Sequence, residues 1–341
     1  MASDSASEPV VSKEAASIDA LQSVYTLVRD DFQAVNTLIP RQLTSDVALV
    51  EEISGYIVES GGKRLRPLMV LLSAGALGYP GDKHIPLAAV IEFLHTATLL
   101  HDDVVDHSAL RRGQLTANEK WGNAPSVLVG DFLYSRAFQL MVEIGKMDIL
   151  EVLSSATNTI AEGEVMQLAN VGNVDITETE YRTVIRCKTA LLFEAATHTG
   201  ALLMDEADDH QVQALRQFGL HFGLTYQLVD DWLDYAGDAA TMGKNVGDDL
   251  AEGKLTLPLI CALQRSGEQE RTLIQRAIHD PSTAPLDDII TVVRRCGALQ
   301  YTHDAAVQEA KLASACIDQL RPSPYTDALR TLTRYSCARL F

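Results

Sequence analysis

Phe222-Gly223-Leu224-Thr225-Tyr226-Gln227-Leu228-Val229-Asp230-Asp231-Trp232-Leu233-Asp234 is a largely apolar run that ends in three aspartates. The same acid spacing recurs at Asp102-Asp103-x-x-Asp106, after Ala97-Thr98-Leu99-Leu100-His101. Both runs read as helix. On a helix, residues four apart lie one above the other, so Asp102 and Asp106 share a face, as do Asp230 and Asp234. Two carboxylates about 5.5 Å apart repel by roughly 3 kcal/mol at an effective dielectric near 20, a cost that a divalent cation reverses. Clusters with only oxygen ligands suit Mg2+, which keeps several waters and is commonly held by one or two carboxylates together with substrate phosphates. One acidic triplet is as easily a solvated helix face. Two that emerge from apolar helix argue for a shared metal-binding role.

Working outward from the triplets, no proline occurs between Pro125 and Pro258 and no alternation of apolar and polar residues marks a sheet. Stacked helices are the reading, and the predicted fold class is all-α, a single large helical bundle. Thr177-x-x-Glu180 after Gly172-Asn173-Val174-Asp175 predicts a capping box, while Pro281 to Pro285 and Pro322-Ser323-Pro324 predict later breaks. A length of 341 residues alone suggests two domains, but the helical pattern overrides it. Residues 1–18 are expected to be a flexible lead-in, rich in Ser, Ala and Glu, and residues 19–341 one domain.

The formal charge of −18 argues against nucleic acid and anionic membrane surfaces as general partners. The cations are nevertheless grouped, at Lys63-Arg64-x-Arg66 and Arg111-Arg112, which is how an acidic protein binds an anion locally. Cys187, Cys261, Cys296, Cys316 and Cys337 show no CxxC spacing, so neither a disulfide framework nor a zinc site is spelled out. The N-terminus lacks the basic and apolar regions of a signal peptide, and the longest apolar stretch, Pro67 to Tyr79, falls short of the roughly 20 residues a bilayer requires. The expected location is the cytoplasm.

Further segments complete the pattern: Gly61-Gly62-Lys63-Arg64-Leu65-Arg66-Pro67, Arg111-Arg112-Gly113, Gly130-Asp131-Phe132-Leu133, Gly163-Glu164-Val165-Met166-Gln167, Lys188-Thr189, Gly243-Lys244 and Gly253-Lys254-Leu255-Thr256. With both triplets they resemble the trans-isoprenyl diphosphate synthases, the polyprenyl synthetase family, from about Ser54 to Ile260. The stretch from Ile91 to Arg112 is most similar to bacterial octaprenyl diphosphate synthases.

The resemblance implies an all-helical bundle with a deep central cavity, usually a homodimer, whose mouth carries both aspartate motifs. It implies three Mg2+ ions, with Mn2+ as a substitute, held by Asp102, Asp106 and Asp230, and a reaction that adds isopentenyl diphosphate to an allylic diphosphate. Asp103, Asp231 and Asp234 complete the catalytic set with Lys188, Thr189 and Gln227. By position in the family motifs, Lys63, Arg66, His95 and Arg112 hold isopentenyl diphosphate, while Arg111, Lys188 and Lys244 hold the allylic diphosphate. Thr189 and Gln227 present oxygen dipoles to the cation that forms. Small residues at Ala97 and Thr98, five and four before Asp102, leave room for a product of about C40, for quinone side chains; one helical turn of about 5.4 Å is close to one isoprene unit. Passing contact with a membrane would accompany product release.

Glu92-x-x-His95 is also half of a di-iron signature, but no second copy accompanies it. Asp248 and Asp249 read best as an exposed loop cluster, and Trp232 as a packing residue. Leu115 and Leu255 stand where the family usually has proline. A class I terpene cyclase is the rival enzyme, opposed by Lys63, Arg66 and the second full triplet. A non-catalytic subunit of a heteromeric prenyl synthase, the rival of another class, would be free to lose the aspartates, and all six remain.

Overall fold

Helix follows helix through the computed structural model, which describes residues 10–236, 247–280 and 285–340. The order begins with α1 Val10–Leu27, α2 Arg29–Gln42, α3 Ala48–Glu59, α4 Leu65–Ala76 and α5 His84–Val105. A short hairpin, β1 Leu110–Arg111 and β2 Gln114–Leu115, precedes α6 Ala117–Trp121, α7 Asn123–Ile144, α8 Met147–Ala169 and α9 Glu178–Ile185. One π-helical turn, Arg186–Ala190, leads into α10 Leu191–Leu202 and the long α11 Asp209–Ala236. The remainder comprises α12 Asp248–Ala251, α13 Leu257–Arg265, α14 Glu268–His279, α15 Leu286–Arg295, α16 Ala298–Ile317 and α17 Pro324–Ala338. The all-α expectation is met. Of the lead-in 1–18, residues 10–18 are the start of α1 and residues 1–9 lie outside the described residues, as does most of the Pro281 to Pro285 break.

Two helices carry the triplets because their apolar faces leave them no other place. α5 buries Leu87, Val90, Ile91, Phe93, Leu94, Ala97 and Leu100, while Glu92, His95, Leu99, Asp102 and Asp106 form a half-buried row along one side. That row follows the three- and four-residue spacing of a single helix face. α11 buries Phe218, Phe222, Thr225, Leu228 and Val229 between α10 and α16. Phe218 and Phe222 join an apolar cluster with α4, α5, α7 and α10, and Leu228 and Val229 join a second with α13 to α16. Each large apolar side chain removed from water contributes roughly 1.5–3 kcal/mol. α11 therefore pins both halves of the bundle, and Asp230 sits on that pin. Trp232 is partly buried against the second cluster, as a packing residue.

The helix ends obey local chemistry. At α9 the Thr177 side chain accepts the Glu180 N–H while the Glu180 carboxylate accepts the Thr177 N–H at 2.8 Å, the predicted capping box. Sequence periodicity gave no sign of the hairpin. Its register pairs Arg111 with Gln114, so Arg112 and Gly113 form a two-residue turn with φ of 54° and 76°. Such double positive φ values match the strand twist of tight hairpins. Leu115 pairs with Leu110 and keeps the N–H that a proline there would lack. No helix among the described residues is long and apolar enough to cross a membrane.

Candidate active site

Asp102 and Asp106 stand a turn apart on α5, and each faces an ammonium group. Lys188 Nζ lies 3.6 Å from Asp102 and 2.6 Å from Glu164, and Lys254 Nζ lies 2.8 Å from Asp106 and 2.7 Å from Glu252. Burial pushes the Asp102 carboxyl up, Lys188 opposes that, and neighbouring Asp106 adds to it. Burial alone would lower Lys254, but Glu252 and Asp106 more than offset it and hold the ammonium charged.

The middle aspartate of each triplet turns inward, because a one-residue step rotates a side chain about 100° around the helix. Asp103 is wholly buried, and one of its oxygens accepts from Arg111 Nε at 2.8 Å and Nη2 at 2.6 Å. Arg111 is thereby kept charged despite burial. Asp231, also buried, accepts from the Tyr181 hydroxyl and from Gln227 Nε2 at 2.7 Å. Among the described residues no cation pairs with it, and burial pushes its carboxyl up to about 7 against those two hydrogen bonds. Asp230 accepts from Arg339, just after α17, at 3.3 Å, and Asp234 accepts the Asp249 N–H at 3.4 Å. Asp249 is not the exposed loop residue expected. It is half-buried beside Asp231, Asp234 and Asp230, and desolvation together with those neighbours raises its carboxyl well above the ordinary range.

The π-helical turn joins the two motifs. It brings consecutive residues to different partners: Lys188 to Asp102, and Thr189 Oγ1 to Gln227 Oε1 at 2.8 Å, from which Gln227 leads on to Asp231. Turns of this kind often mark functional sites in helices. Gly163 makes the approach possible, since a Cβ there would lie 2.6 Å from Cys187 Cβ, and the next residue is Glu164, the partner of Lys188. Among the described residues no three His, Cys, Asp or Glu groups converge as a ready metal set. Asp102 and Asp106 share one helix, and Asp230 comes from the other.

A second, basic pocket lies at the start of α4. Arg66 packs its guanidinium 4.1 Å above the Phe193 ring and places Nη1 3.2 Å from His95 Nε2. Burial brings Arg66 down to about 10, still charged at neutral pH. It drives His95 well below its ordinary value, with Arg66, Arg112 and Arg111 adding to the effect, so the imidazole is neutral. Arg112 joins the pocket from the hairpin by laying its guanidinium over Gly62, whose Cβ would sit 2.6 Å from Nη1. Gly62 has φ 144°, so the bare α-carbon serves both the backbone and the contact. Arg64 and Arg112 adopt positive φ as well, strain of the kind that surrounding contacts must hold in place. Lys63 extends its ammonium over the Tyr335 ring at 5.0 Å, and its carbonyl accepts from Tyr25.

In the sequence Glu92 is the first half of an unmatched Glu-x-x-His motif. It lies in this pocket, 3.9 Å from Arg64 Nε, and burial raises its carboxyl against the pull of Arg64, Arg66 and Arg112. Glu164 and Lys254 belong to the family motifs of the sequence, whereas Tyr181 and Arg339 carry no sequence signal. Ala97 is wholly buried and lies about 140° around α5 from Asp102, while half-buried Thr98 lies about 40° away and donates to the His95 carbonyl at 2.7 Å. Gly243 and Lys244 lie outside the described residues.

Residues 47–294 match the model of the polyprenyl synthetase family. The chain is 46% identical over 320 residues to the octaprenyl diphosphate synthase of Escherichia coli K12, covering 94% of this chain and 99% of the relative. It is 47% identical over 324 residues to an all-trans-nonaprenyl-diphosphate synthase from Rhodobacter capsulatus, covering 95% and 99%. The crystal structure of a polyprenyl synthase from Caulobacter crescentus CB15, complexed with calcium and isoprenyl diphosphate, superposes with a TM-score of 0.88 at 43% identity, covering 93% of this chain and 97% of the other. With two acid motifs tied together by one π-helical turn and a separate basic pocket beside them, the chain belongs to the polyprenyl synthetase family.

Proposed function

We propose that the acid mouth and the basic pocket are the two diphosphate sites of a long-chain trans-polyprenyl diphosphate synthase, which adds isopentenyl diphosphate to an allylic diphosphate such as farnesyl diphosphate. The observation that carries this reading is the separation of charge. A cyclase needs only the mouth; a pocket of Arg66, Arg112 and neutral His95 has a purpose only if a second diphosphate binds.

The donors at the mouth are all carboxylate oxygens, and two of them already balance ammonium groups, so Asp102, Asp106 and Asp230 fit a hard divalent cation. Bound Mg2+ would neutralise the allylic diphosphate and make it a competent leaving group. Three ions, and activity with Mn2+ in their place, are part of this reading. Lys188, Lys244 and Arg111 grip the same diphosphate from the protein side, Arg111 held charged and oriented by Asp103. The allylic C–O bond breaks and its electron pair leaves with the diphosphate. Thr189 and Gln227 present oxygen lone pairs to the resulting allylic cation, their orientation fixed by the bond between them. Lys63, Arg66, His95 and Arg112 hold isopentenyl diphosphate so that its double bond attacks the cation and forms the new C–C bond. Loss of one proton to the departing diphosphate restores an alkene one C5 unit longer.

Products of about C40, destined for quinone side chains, are part of the proposal, supported by the small Thr98 beside the first motif and the small Ala97 behind it. A homodimer is part of the proposal, supported by Leu128 and Val142 on α7 and Val165 and Leu168 on α8, all well exposed and apolar. So are a single domain over residues 19–341, a cytoplasmic location and brief membrane contact at product release. Incubating the purified protein with farnesyl diphosphate, labelled isopentenyl diphosphate and Mg2+ tests the reading. An elongated linear diphosphate supports it, whereas a cyclic hydrocarbon or no product overturns it.

A further inference from the structure

The condensation leaves the product's diphosphate in the wrong place for the next cycle. Isopentenyl diphosphate keeps its own diphosphate, so the elongated chain ends each round with that group in the basic pocket. The next ionisation requires it in the acid mouth. A pocket of Lys63, Arg64, Arg66 and Arg112 would hold a diphosphate tightly, because each charge-assisted contact in a buried site is strong. Processive elongation needs that grip to be limited.

Glu92 is placed to limit it. Its side chain is only 14% exposed, one oxygen stands 3.9 Å from Arg64 Nε, and the other is buried with no hydrogen-bond partner. Arg66 Nε is likewise buried without a partner. Glu92 precedes His95 by three residues on the same face of α5, so it shares the pocket that His95 and Arg66 line. A carboxylate selected to stabilise the fold would have both oxygens satisfied. We propose that Glu92 acts as a counter-charge that competes with diphosphate for the guanidinium groups of Arg64, Arg66 and Arg112, so that the product's diphosphate leaves for the acid mouth after each addition. It is a positioning residue and touches no reacting atom.

This inference rests on the two-site reading above, and the two fail differently. If the wild-type protein elongates nothing, the reading itself is wrong. If it elongates, Glu92→Gln separates the alternatives by sign. A residue that merely holds the arginines in place would weaken isopentenyl diphosphate binding when its charge is removed, whereas a competing counter-charge would strengthen it.

Calorimetric titration with isopentenyl diphosphate alone should give a Kd roughly tenfold lower for Glu92→Gln, in keeping with the loss of one charge among close neighbours. Rapid-quench product analysis should show the later C5 additions slowed relative to the first by about as much as binding is tightened, with short intermediates accumulating. Glu92→Asp keeps the charge but retracts it by one methylene, and should fall between the two proteins in both measurements; it also serves if Glu92→Gln does not fold. Weaker or unchanged isopentenyl diphosphate binding in these variants, or tighter binding with an unchanged pattern of later additions, would overturn the proposal.

Discussion

In the acid mouth, Lys188 and Lys254 sit against Asp102 and Asp106; in the basic pocket, Glu92 sits among Arg64, Arg66 and Arg112. Each region thus contains side chains of the opposite sign. The difference is in how closely they pair. Lys254 lies 2.8 Å from Asp106, a full ion pair, while Glu92 keeps 3.9 Å from Arg64 and leaves one oxygen buried and unmatched. The carboxylates of the mouth outnumber Lys188, Lys254, Arg111 and Arg339, so an excess of negative charge remains there for an added cation. The pocket keeps an excess of positive charge, so its task is to hold an anion.

The largest effects should come from the mouth. Asp102→Ala or Asp230→Ala is expected to lower turnover by roughly 10²–10³-fold, since each removes a charge that acts on the leaving group. The fold should survive, because Asp102 stands in a cluster that repels it and Lys188 keeps Glu164 as a partner. Thermal melts and steady-state assays on the same preparations check both halves, and excess EDTA should abolish activity. Turnover that persists in EDTA, or in either variant, would leave the mouth without its assigned metal role.

Next in size is the contrast between the two anion sites. Arg66→Ala should raise the KM for isopentenyl diphosphate roughly tenfold to hundredfold, the worth of one charge-assisted contact, with little change for the allylic substrate. Lys188→Ala should reverse that pattern. Titrating both substrates against both variants decides it, and equal losses for the two substrates would merge the regions into one.

A smaller effect distinguishes the pocket by pH. His95 faces Arg66 from α4 and Arg111 and Arg112 from the hairpin, with Glu92 on its own helix, and burial together with those cations holds it well below its ordinary 6.5. The unfolded chain takes up a proton near 6.5 where the folded one does not. Stability from this residue is therefore fully present above about pH 6.5 and is lost progressively as the pH falls from there to the lower value of the folded imidazole. His95→Gln should flatten that part of the slope in denaturant titrations at neutral and mildly acidic pH. An unchanged slope would mean that the imidazole is not shielded as the geometry indicates.

What the sequence disclosed follows the same division. Both aspartate motifs, the Gly61 to Pro67 loop and the paired arginines could be read because their residues are neighbours in the chain. So could the helices, from proline-free periodicity, and the Thr177 cap, from a local spacing. Their partners could not. Lys254 reaches Asp106 across 148 residues, Tyr181 reaches Asp231 across 50 and Lys188 reaches Glu164 across 24, distances over which no spacing rule operates. Asp249 read as a loop acid because burial is a property of packing, and Glu92 because Glu-x-x-His already suggested something else. The π-helical turn was hidden since it adds its extra residue within an unbroken helical pattern.

The last prediction costs little rate and changes the product. α5 joins the two regions, with Asp102 in the mouth and Glu92 and His95 in the pocket, and on the proposed two-site reading the growing chain runs alongside it. Thr98 lies beside the row that links them, so a ring there meets a chain that follows the Asp102 face. Ala97 is wholly buried on the far side, so a ring there acts by pushing neighbouring side chains into the space the chain uses. Overpacking of that kind costs about 1–3 kcal/mol, and a lower Tm is expected for Ala97→Phe. Thr98→Phe should spare stability. Both should give mainly products of about C15 to C20 at initial rates close to wild type, since each helical turn closed removes about one isoprene unit and neither change touches a diphosphate site. Chain-length analysis of the products with Tm as the control separates the cases. Shortening by Thr98→Phe alone confines the product to the Asp102 face, and shortening by Ala97→Phe alone carries it into the core behind. If both variants make the wild-type length, the chain runs past neither residue and the limit on length lies away from α5.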